Sequence, residues 1–133
     1  MHALILDDEP GIGRVICRIA RLAGFTAEAA TDAVDFQMRF SLENPDVVLL
    51  DLQLAGDDGL AQLRFLAEQH YPHAVVLMSG HAPRVLSSAE RRGRDLGLDI
   101  LASISKPFGT AELTALFESL ATRPISSSTE RST

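Results

Sequence analysis

The sequence predicts an α/β domain in which five helices cover a doubly wound sheet of five parallel strands. Five short apolar runs recur along the chain, and a longer amphipathic segment follows each of them. The runs are continuous rather than alternating in polarity, which is typical of strands that are covered on both faces in a parallel sheet. The predicted strands are residues 3–6, 27–30, 47–50, 74–78 and 100–104.

The first and last helices show the helical period most clearly. In each, four apolar residues fall at i, i+3, i+4 and i+7, which places them on one face. These residues are Ile12, Val15, Ile16 and Ile19 in the first helix and Leu113, Leu116, Phe117 and Leu120 in the last. Gly24 is the predicted stop of the first helix, and Thr110 is the predicted N-cap of the last.

The second helix is predicted against its own apolar pattern. Apolar residues at 34, 36, 38, 40 and 42 alternate with period two, which taken alone indicates a strand. Thr31-Asp32 offers caps, Asn44-Pro45 offers a stop, and parallel strands need a crossover, so we expect a helix here. The two remaining helices are predicted over residues 60–69 and 83–96, with Pro83 in the first turn of the latter.

Length and composition fit one compact domain. The chain has 133 residues, of which 46% are hydrophobic and 23% charged. We expect the domain to span residues 1–122, with the Ser- and Thr-rich residues 123–133 as a flexible tail or the start of a linker. No apolar run approaches the roughly 18 residues of a membrane span, and the N-terminus lacks the basic flank of a secretion signal. The expectation is a cytoplasmic protein without a membrane partner.

The net charge argues against a nucleic-acid-binding domain, and the single cysteine argues against a domain stabilised by an internal disulfide. A formal charge of −6 and a pI near 5.1 argue against direct nucleic-acid binding by this domain. Cys17 cannot form an internal disulfide, and its place in an apolar helical pattern predicts a small buried hydrophobe.

Acidic residues follow two of the predicted strands. Asp7 and Asp8 follow the first strand, and Asp51 follows the third. If the strand order is flavodoxin-like, 2-1-3-4-5, these strands are neighbours and the three acids converge at the crevice edge. Carboxylates about 4 Å apart repel by roughly 4 kcal/mol per pair at an effective dielectric near 20. Raised pKa values or a hard divalent cation, with Mg²⁺ the natural candidate, would relieve this repulsion, whereas simple helix capping is the plain alternative.

A hydroxyl and a lone cation are predicted at the same edge. Ser79-Gly80 follows the fourth strand, and Lys106-Pro107 follows the fifth. Lys106 is the only lysine among 12 basic residues. Singly these are common turn and strand-end residues, but together with the acids they are the groups needed to position and neutralise a transferring phosphoryl group.

The chain resembles the receiver domain of two-component response regulators, chemotaxis regulators among them, over about residues 2–122. The matching motifs are LILDDE at 4–9, VVLLDL at 47–52 with Asp58-Gly59 downstream, MSG at 78–80 and SKPF at 105–108. The resemblance implies the 2-1-3-4-5 order and a phosphorylation-dependent signalling switch rather than an enzyme with a separate substrate.

The resemblance also implies roles for individual residues. Asp51 would be the phosphoacceptor, Ser79 the hydroxyl that turns toward the phosphoryl group, and Lys106 the cation that pairs with its oxygens. Asp7, Asp8, Asp51 and the backbone carbonyl of Gln53 would hold Mg²⁺. The expected donor is a sensor histidine kinase or a histidine phosphotransfer protein, and the domain would catalyse only its own phosphorylation and dephosphorylation.

The expected output is a change on the face of the fourth helix. Many receivers carry Tyr or Phe three residues before the lysine, and here that residue is Ser103. The link before the fifth strand, at residues 91–98, is also longer than usual. Residues 97–101 and 106–108 are similar to receivers that precede cyclic-di-GMP phosphodiesterase domains. Such an output domain, or a receiver dimer, is therefore expected to carry the signal.

Three alternatives differ in class. A receiver-like interaction module would work without phosphorylation, but such modules usually lose an acid or the lysine. A haloacid-dehalogenase-like phosphohydrolase would carry Asp-x-Asp, and this chain has Asp51-Leu52-Gln53. A dinucleotide site could begin at Gly11-Ile12-Gly13, but Ile16 stands where its third glycine belongs.

Overall fold

The computed structural model describes residues 1–54, 57–80 and 83–122. Its strands are β1 (His2–Leu6), β2 (Thr26–Ala30), β3 (Val47–Asp51), β4 (Gln53–Leu54), β5 (Asp57–Asp58), β6 (Ala74–Ser79) and β7 (Asp99–Ser105). Its helices are α1 (Pro10–Leu22), α2 (Ala33–Glu43), α3 (Gly59–Glu68), α4 (Pro83–Asp95) and α5 (Thr110–Thr122). The predicted tail at 123–133 lies outside the described residues.

Five of the strands form one parallel sheet in the order β2-β1-β3-β6-β7. Numbered without the short antiparallel pair β4-β5, this is the 2-1-3-4-5 order, so the predicted fold class is confirmed. The order places β1 beside β3, and Ile5 pairs with Leu49 across them.

The core consists of two apolar clusters, one on each face of the sheet. Alternate residues of a strand enter opposite clusters, as Leu4 and Ile5 of β1 do. One cluster packs against α1 and α5, and the other against α2, α3 and α4. Leu4 and Ile5 are both fully buried, and each buried side chain of this kind contributes about 1.5–3 kcal/mol to folding stability relative to an exposed one. Burial on both faces explains the continuous apolar runs of the central strands.

The second predicted helix is confirmed as α2, and its period-two pattern has a simple explanation. Asp32 caps the helix by accepting the Asp35 N–H on Oδ1 at 2.8 Å. Within the helix Phe36 is fully buried and Phe40 is partly buried. The other three apolar residues, Val34, Met38 and Leu42, are exposed on the opposite face. The alternating pattern therefore combines a buried pair with an exposed stripe.

Two details of the sequence interpretation are wrong. Val15 was expected on the buried face of α1, yet it is 50% exposed, because the buried face is centred on Gly13, Ile16, Cys17 and Ala20 and Val15 lies outside it. Thr110 is the first helical residue of α5 rather than its cap, since the Gly109 carbonyl accepts the Leu113 amide at 3.2 Å. Cys17 is buried as predicted, and burial raises the pKa of its thiol.

The edge strand β7 contains an irregularity. Val75 of β6 pairs with Ile100, but the next residue, Val76, pairs with Ala102. Leu101 is therefore one extra residue opposite β6, as in a β-bulge. Beyond it the register is regular as far as the pairing of Ser79 with Ser105. Among the described residues, no helix is long and apolar enough to span a bilayer.

Candidate functional site

Four polar side chains lie where four adjacent parallel strands end. Asp7 directly follows β1, and Lys106 directly follows β7. Asp51 and Ser79 are the last residues of β3 and β6. Neighbouring parallel strands end at the same sheet edge, so their terminal residues are brought together. Asp7 and Asp51 are each only 1% exposed.

The three acids predicted to converge do so. One carboxylate oxygen from each of Asp7, Asp8 and Asp51 lies within 4.8 Å of the others. Asp8 is the half-buried member of this cluster. The donor atoms are all carboxylate oxygens, the ligand type that Mg²⁺ prefers, so the residues present fit this ion. This arrangement supports the predicted metal ligands, whose role remains a prediction.

Lys106 bridges the two buried carboxylates. Its Nζ lies 2.7 Å from Asp7 Oδ2 and 3.2 Å from Asp51 Oδ2. With one ammonium against three carboxylates, the formal charge of these four residues is −2. A divalent cation would therefore neutralise the cluster.

Backbone hydrogen bonds fix the orientation of both buried acids. The Glu9 N–H donates to Asp7 Oδ1, and the Gln53 N–H donates to Asp51 Oδ1, each at 2.9 Å. In both cases the donor is two residues after the acid, as in an Asx-turn. Each carboxylate thus accepts a backbone N–H on one oxygen and the Lys106 ammonium on the other. The acids are held in place before any ligand arrives.

Burial and neighbouring charges act differently on the pKa values of Asp51 and Lys106. Burial raises the pKa of Asp51, and the charge of Asp7 adds to this, against the Gln53 N–H and Lys106. Burial acts to lower the pKa of Lys106, but the Asp7 hydrogen bond and the Asp51 charge outweigh it, so this pKa is raised. Lys106 therefore stays an ammonium at neutral pH, while ionising Asp51 is costly.

Ser79 and Gly80 meet the side chain of Gln53. Gln53 Oε1 accepts the Gly80 N–H at 2.6 Å and the Ser79 hydroxyl at 3.3 Å. The sequence interpretation identified the Gln53 carbonyl but not this side-chain contact, because the conformation of the loop after Asp51 decides it. The sequence also places His81 two residues after Ser79, and His81 lies outside the described residues.

Ser103 connects the sheet to α4. Its hydroxyl donates a short hydrogen bond to Glu90 on that helix. Arg94, one turn after Glu90, lies 3.9 Å from the Glu90 carboxylate and donates to the Ile100 carbonyl at 3.3 Å. A polar connection between α4 and β7 therefore exists where many receivers carry an aromatic ring.

The chain is similar in sequence to known proteins. Residues 3–118 match the family model of the response regulator receiver domain. The chain is 30% identical over 116 residues to regulatory protein VirG of Agrobacterium fabrum, covering 86% of this chain and 43% of VirG. It is 32% identical over 119 residues to cyclic di-GMP phosphodiesterase RocR of Pseudomonas aeruginosa, covering 87% of this chain and 30% of RocR. The chain thus spans less than half the length of these relatives.

A solved structure is also similar. A response regulator from Colwellia psychrerythraea superimposes with a TM-score of 0.80 at 32% identity, over 92% of this chain and 98% of that one. The similarity thus extends over nearly the whole of both chains.

Proposed function

Because the chain belongs to the response regulator receiver domain family, we propose that it is a signalling switch phosphorylated on Asp51. The observation that supports this most is the buried Asp51 carboxylate with Lys106 Nζ 3.2 Å away and two further acids within 4.8 Å. We propose residues 1–122 as the receiver and 123–133 as its tail or the start of a linker.

The proposed donor is a phosphohistidine of a sensor kinase or phosphotransfer protein. A carboxylate oxygen of Asp51 attacks phosphorus and forms the new O–P bond, the P–N bond breaks, and the imidazole, already protonated on its other ring nitrogen, leaves as neutral histidine with the electron pair of that bond. Lys106 offsets the charge that otherwise keeps two anions apart. When bound to Asp7, Asp8, Asp51 and the Gln53 carbonyl, Mg²⁺ supplies further charge neutralisation.

The phosphorylation proposal has a direct test. Incubation with acetyl phosphate and Mg²⁺ should add one phosphoryl group by intact mass, and Asp51→Asn should abolish the addition. Asp95→Asn, an exposed acid at the end of α4, is the matched control and should be phosphorylated normally. An adduct that persists in Asp51→Asn would identify another acceptor, and no adduct in any variant would favour an interaction module that works without phosphorylation.

The proposed metal ligands are tested by Mg²⁺ titration. Asp8→Ala should bind Mg²⁺ more weakly, and binding to the wild type should weaken as pH falls, since protons compete for the carboxylates. Calorimetry measures both effects. Equal affinity in Asp8→Ala would remove this residue from the ligand set.

Lys106 is proposed to matter most after the phosphoryl group arrives. Lys106→Ala should still accept some phosphate but respond poorly to it, and Lys106→Arg should rescue incompletely because a planar guanidinium differs from a compact ammonium. The response is read as hydrogen exchange in α4 and β7. A normal response in Lys106→Ala would contradict this role.

The proposed output is a rearrangement of α4 and β7, read by an attached domain or by a second receiver. The polar contact of Ser103 with Glu90 supports this route, and the phosphodiesterase relative RocR supports an output domain of that class. Beryllofluoride with Mg²⁺ should change hydrogen exchange across residues 83–104. Changes confined to the loop after Asp51 would instead indicate a domain that only stores phosphate.

A further inference from the structure

The side chain of Gln53 holds two hydrogen-bond donors next to the proposed phosphoacceptor. Its amide oxygen accepts the Gly80 N–H at 2.6 Å and the Ser79 hydroxyl at 3.3 Å. Its backbone N–H donates to Asp51 Oδ1 at 2.9 Å. One residue therefore contacts both the acid on β3 and the donors at the end of β6.

The packing around this contact is close. A Cβ on Gly80 would lie 3.3 Å from Gln53 Oε1 and 3.8 Å from the Lys106 Cβ. Glycine at this position thus allows the short hydrogen bond, and the same space lies beside the lysine that pairs with Asp51. The amide oxygen occupies a position that any oxygen bound to Ser79 and Gly80 would need.

A phosphoryl group on Asp51 would compete with this amide. It carries three strong acceptor oxygens, and Ser79 is the hydroxyl that should move toward it. A single O–H or N–H proton forms a well-aligned hydrogen bond with one acceptor at a time. The donors cannot serve Gln53 and the phosphoryl oxygens equally well.

We propose that Gln53 is a positioning residue that holds Ser79 and Gly80 in the resting arrangement and must be displaced when the switch is activated. This inference rests on the proposed function, since it requires a phosphoryl group on Asp51. Only the fraction of molecules with the Gln53 amide displaced is ready to bind phosphoryl oxygens on Asp51. Gln53 therefore lowers the apparent affinity of the site for a phosphoryl mimic such as beryllofluoride.

The test is a titration with beryllofluoride in Mg²⁺, followed by fluorine NMR. Gln53→Met removes the acceptor at nearly the same length, and Gln53→Asn keeps the amide but shortens it by one methylene. Both variants should bind beryllofluoride about tenfold more tightly than the wild type, because two hydrogen bonds no longer need to be broken. Gln69→Met, at an exposed position after α3, is the matched control and should bind like the wild type.

A second readout does not depend on the ligand. In the resting wild type the Gly80 amide proton should resonate downfield and exchange slowly, as expected for a 2.6 Å hydrogen bond. Both Gln53 variants should shift it upfield and speed its exchange, whereas Gln69→Met should leave it unchanged. An unchanged Gly80 signal in both Gln53 variants would overturn the proposed contact.

The two hypotheses fail in different ways. If the wild type forms no beryllofluoride adduct that depends on Asp51, the proposed function fails. If the wild type forms that adduct, but Gln53→Met and Gln53→Asn bind it with wild-type affinity, the role of Gln53 is refuted and the function stands.

Discussion

Removing the Asp51 charge should stabilise the fold when no divalent cation is present. Asp51 is 1% exposed and lies in a cluster whose carboxylate oxygens are within 4.8 Å of one another. Asparagine has nearly the same shape, and its carbonyl oxygen can keep the hydrogen bond from the Gln53 N–H. Lys106 keeps its contact with Asp7. The substitution therefore changes mainly the charge.

The magnitude follows from the opposing charges. At 4.8 Å and an effective dielectric near 20, each neighbouring acid repels Asp51 by about 3.5 kcal/mol. The half-exposed Asp8 counts for about half of this because water screens it. Lys106, 3.2 Å away, attracts Asp51 by about 5 kcal/mol, so this attraction nearly cancels the repulsion from the two acids. The free-energy cost of burying the Asp51 charge then remains. After one hydrogen bond to Lys106 is lost, we expect Asp51→Asn to gain about 1–2 kcal/mol.

The assay is urea unfolding in EDTA at several pH values. Because the folded-state pKa of Asp51 is raised, the folded state binds its proton more tightly than the unfolded chain does. Wild-type stability therefore falls as pH rises through the window above 3.8, the ordinary value. The advantage of Asp51→Asn should grow as pH rises through that window and vanish below it. Saturating Mg²⁺ should reverse the order, since 100-fold excess over Kd stabilises the wild type by about 2.7 kcal/mol.

Two results would refute this reasoning. One is a wild type and an Asp51→Asn variant with equal unfolding free energies in EDTA at pH 7 and equal m-values. The other is a difference between them that does not depend on pH, which would trace the effect to packing rather than to charge.

Four further predictions concern stability. Lys106→Met should lower the free energy of unfolding by about 3–5 kcal/mol in EDTA at pH 7, because it leaves two buried acids uncompensated. The free energy of unfolding of the wild type should fall as pH rises above 10.5 through the raised pKa of Lys106. Urea titrations test both predictions. Asp32→Ala should cost about 1 kcal/mol in the same assay through loss of the α2 cap. Gly93→Ala should lower Tm although alanine favours helices, because its Cβ would lie 2.6 Å from Ile100 Cδ1; an unchanged Tm would show that Ile100 moves aside.

The sheet could be predicted because its central strands are buried on both faces. Continuous runs such as 47–50 leave no wet face, and every one of these side chains is fully buried in the structure. The convergence of Asp7, Asp8 and Asp51 followed from the strand order that the family resemblance implied, since adjacent parallel strands end together. The apolar pattern together with the family resemblance therefore sufficed for the outline of the site.

Local contacts could not be predicted in the same way. The Gln53 amide reaches Gly80 because of the backbone path after Asp51, which no hydrophobic period encodes. The contact between Ser103 and Glu90 depends on the register of β7, and that register changes at Leu101. Val15 matched the period of the large apolar residues but is half exposed, because the small residues Gly13, Cys17 and Ala20 shift the centre of the buried face away from it.

Because of the extra residue Leu101 in β7, the length of the connection from α4 to β7 does not decide how Lys106 is aligned with Ser79 of β6. The pairing of Ser79 with Ser105, and the hydrogen bond from the Lys106 N–H to the Ser79 carbonyl at 2.9 Å, both lie on the carboxyl side of Leu101. A residue gained or lost between α4 and Leu101 can be absorbed at the bulge without sliding Lys106 along β6. The pairing of β7 with β6 beyond Leu101, rather than the length of the connection from α4, therefore sets the position of Lys106 beside Ser79.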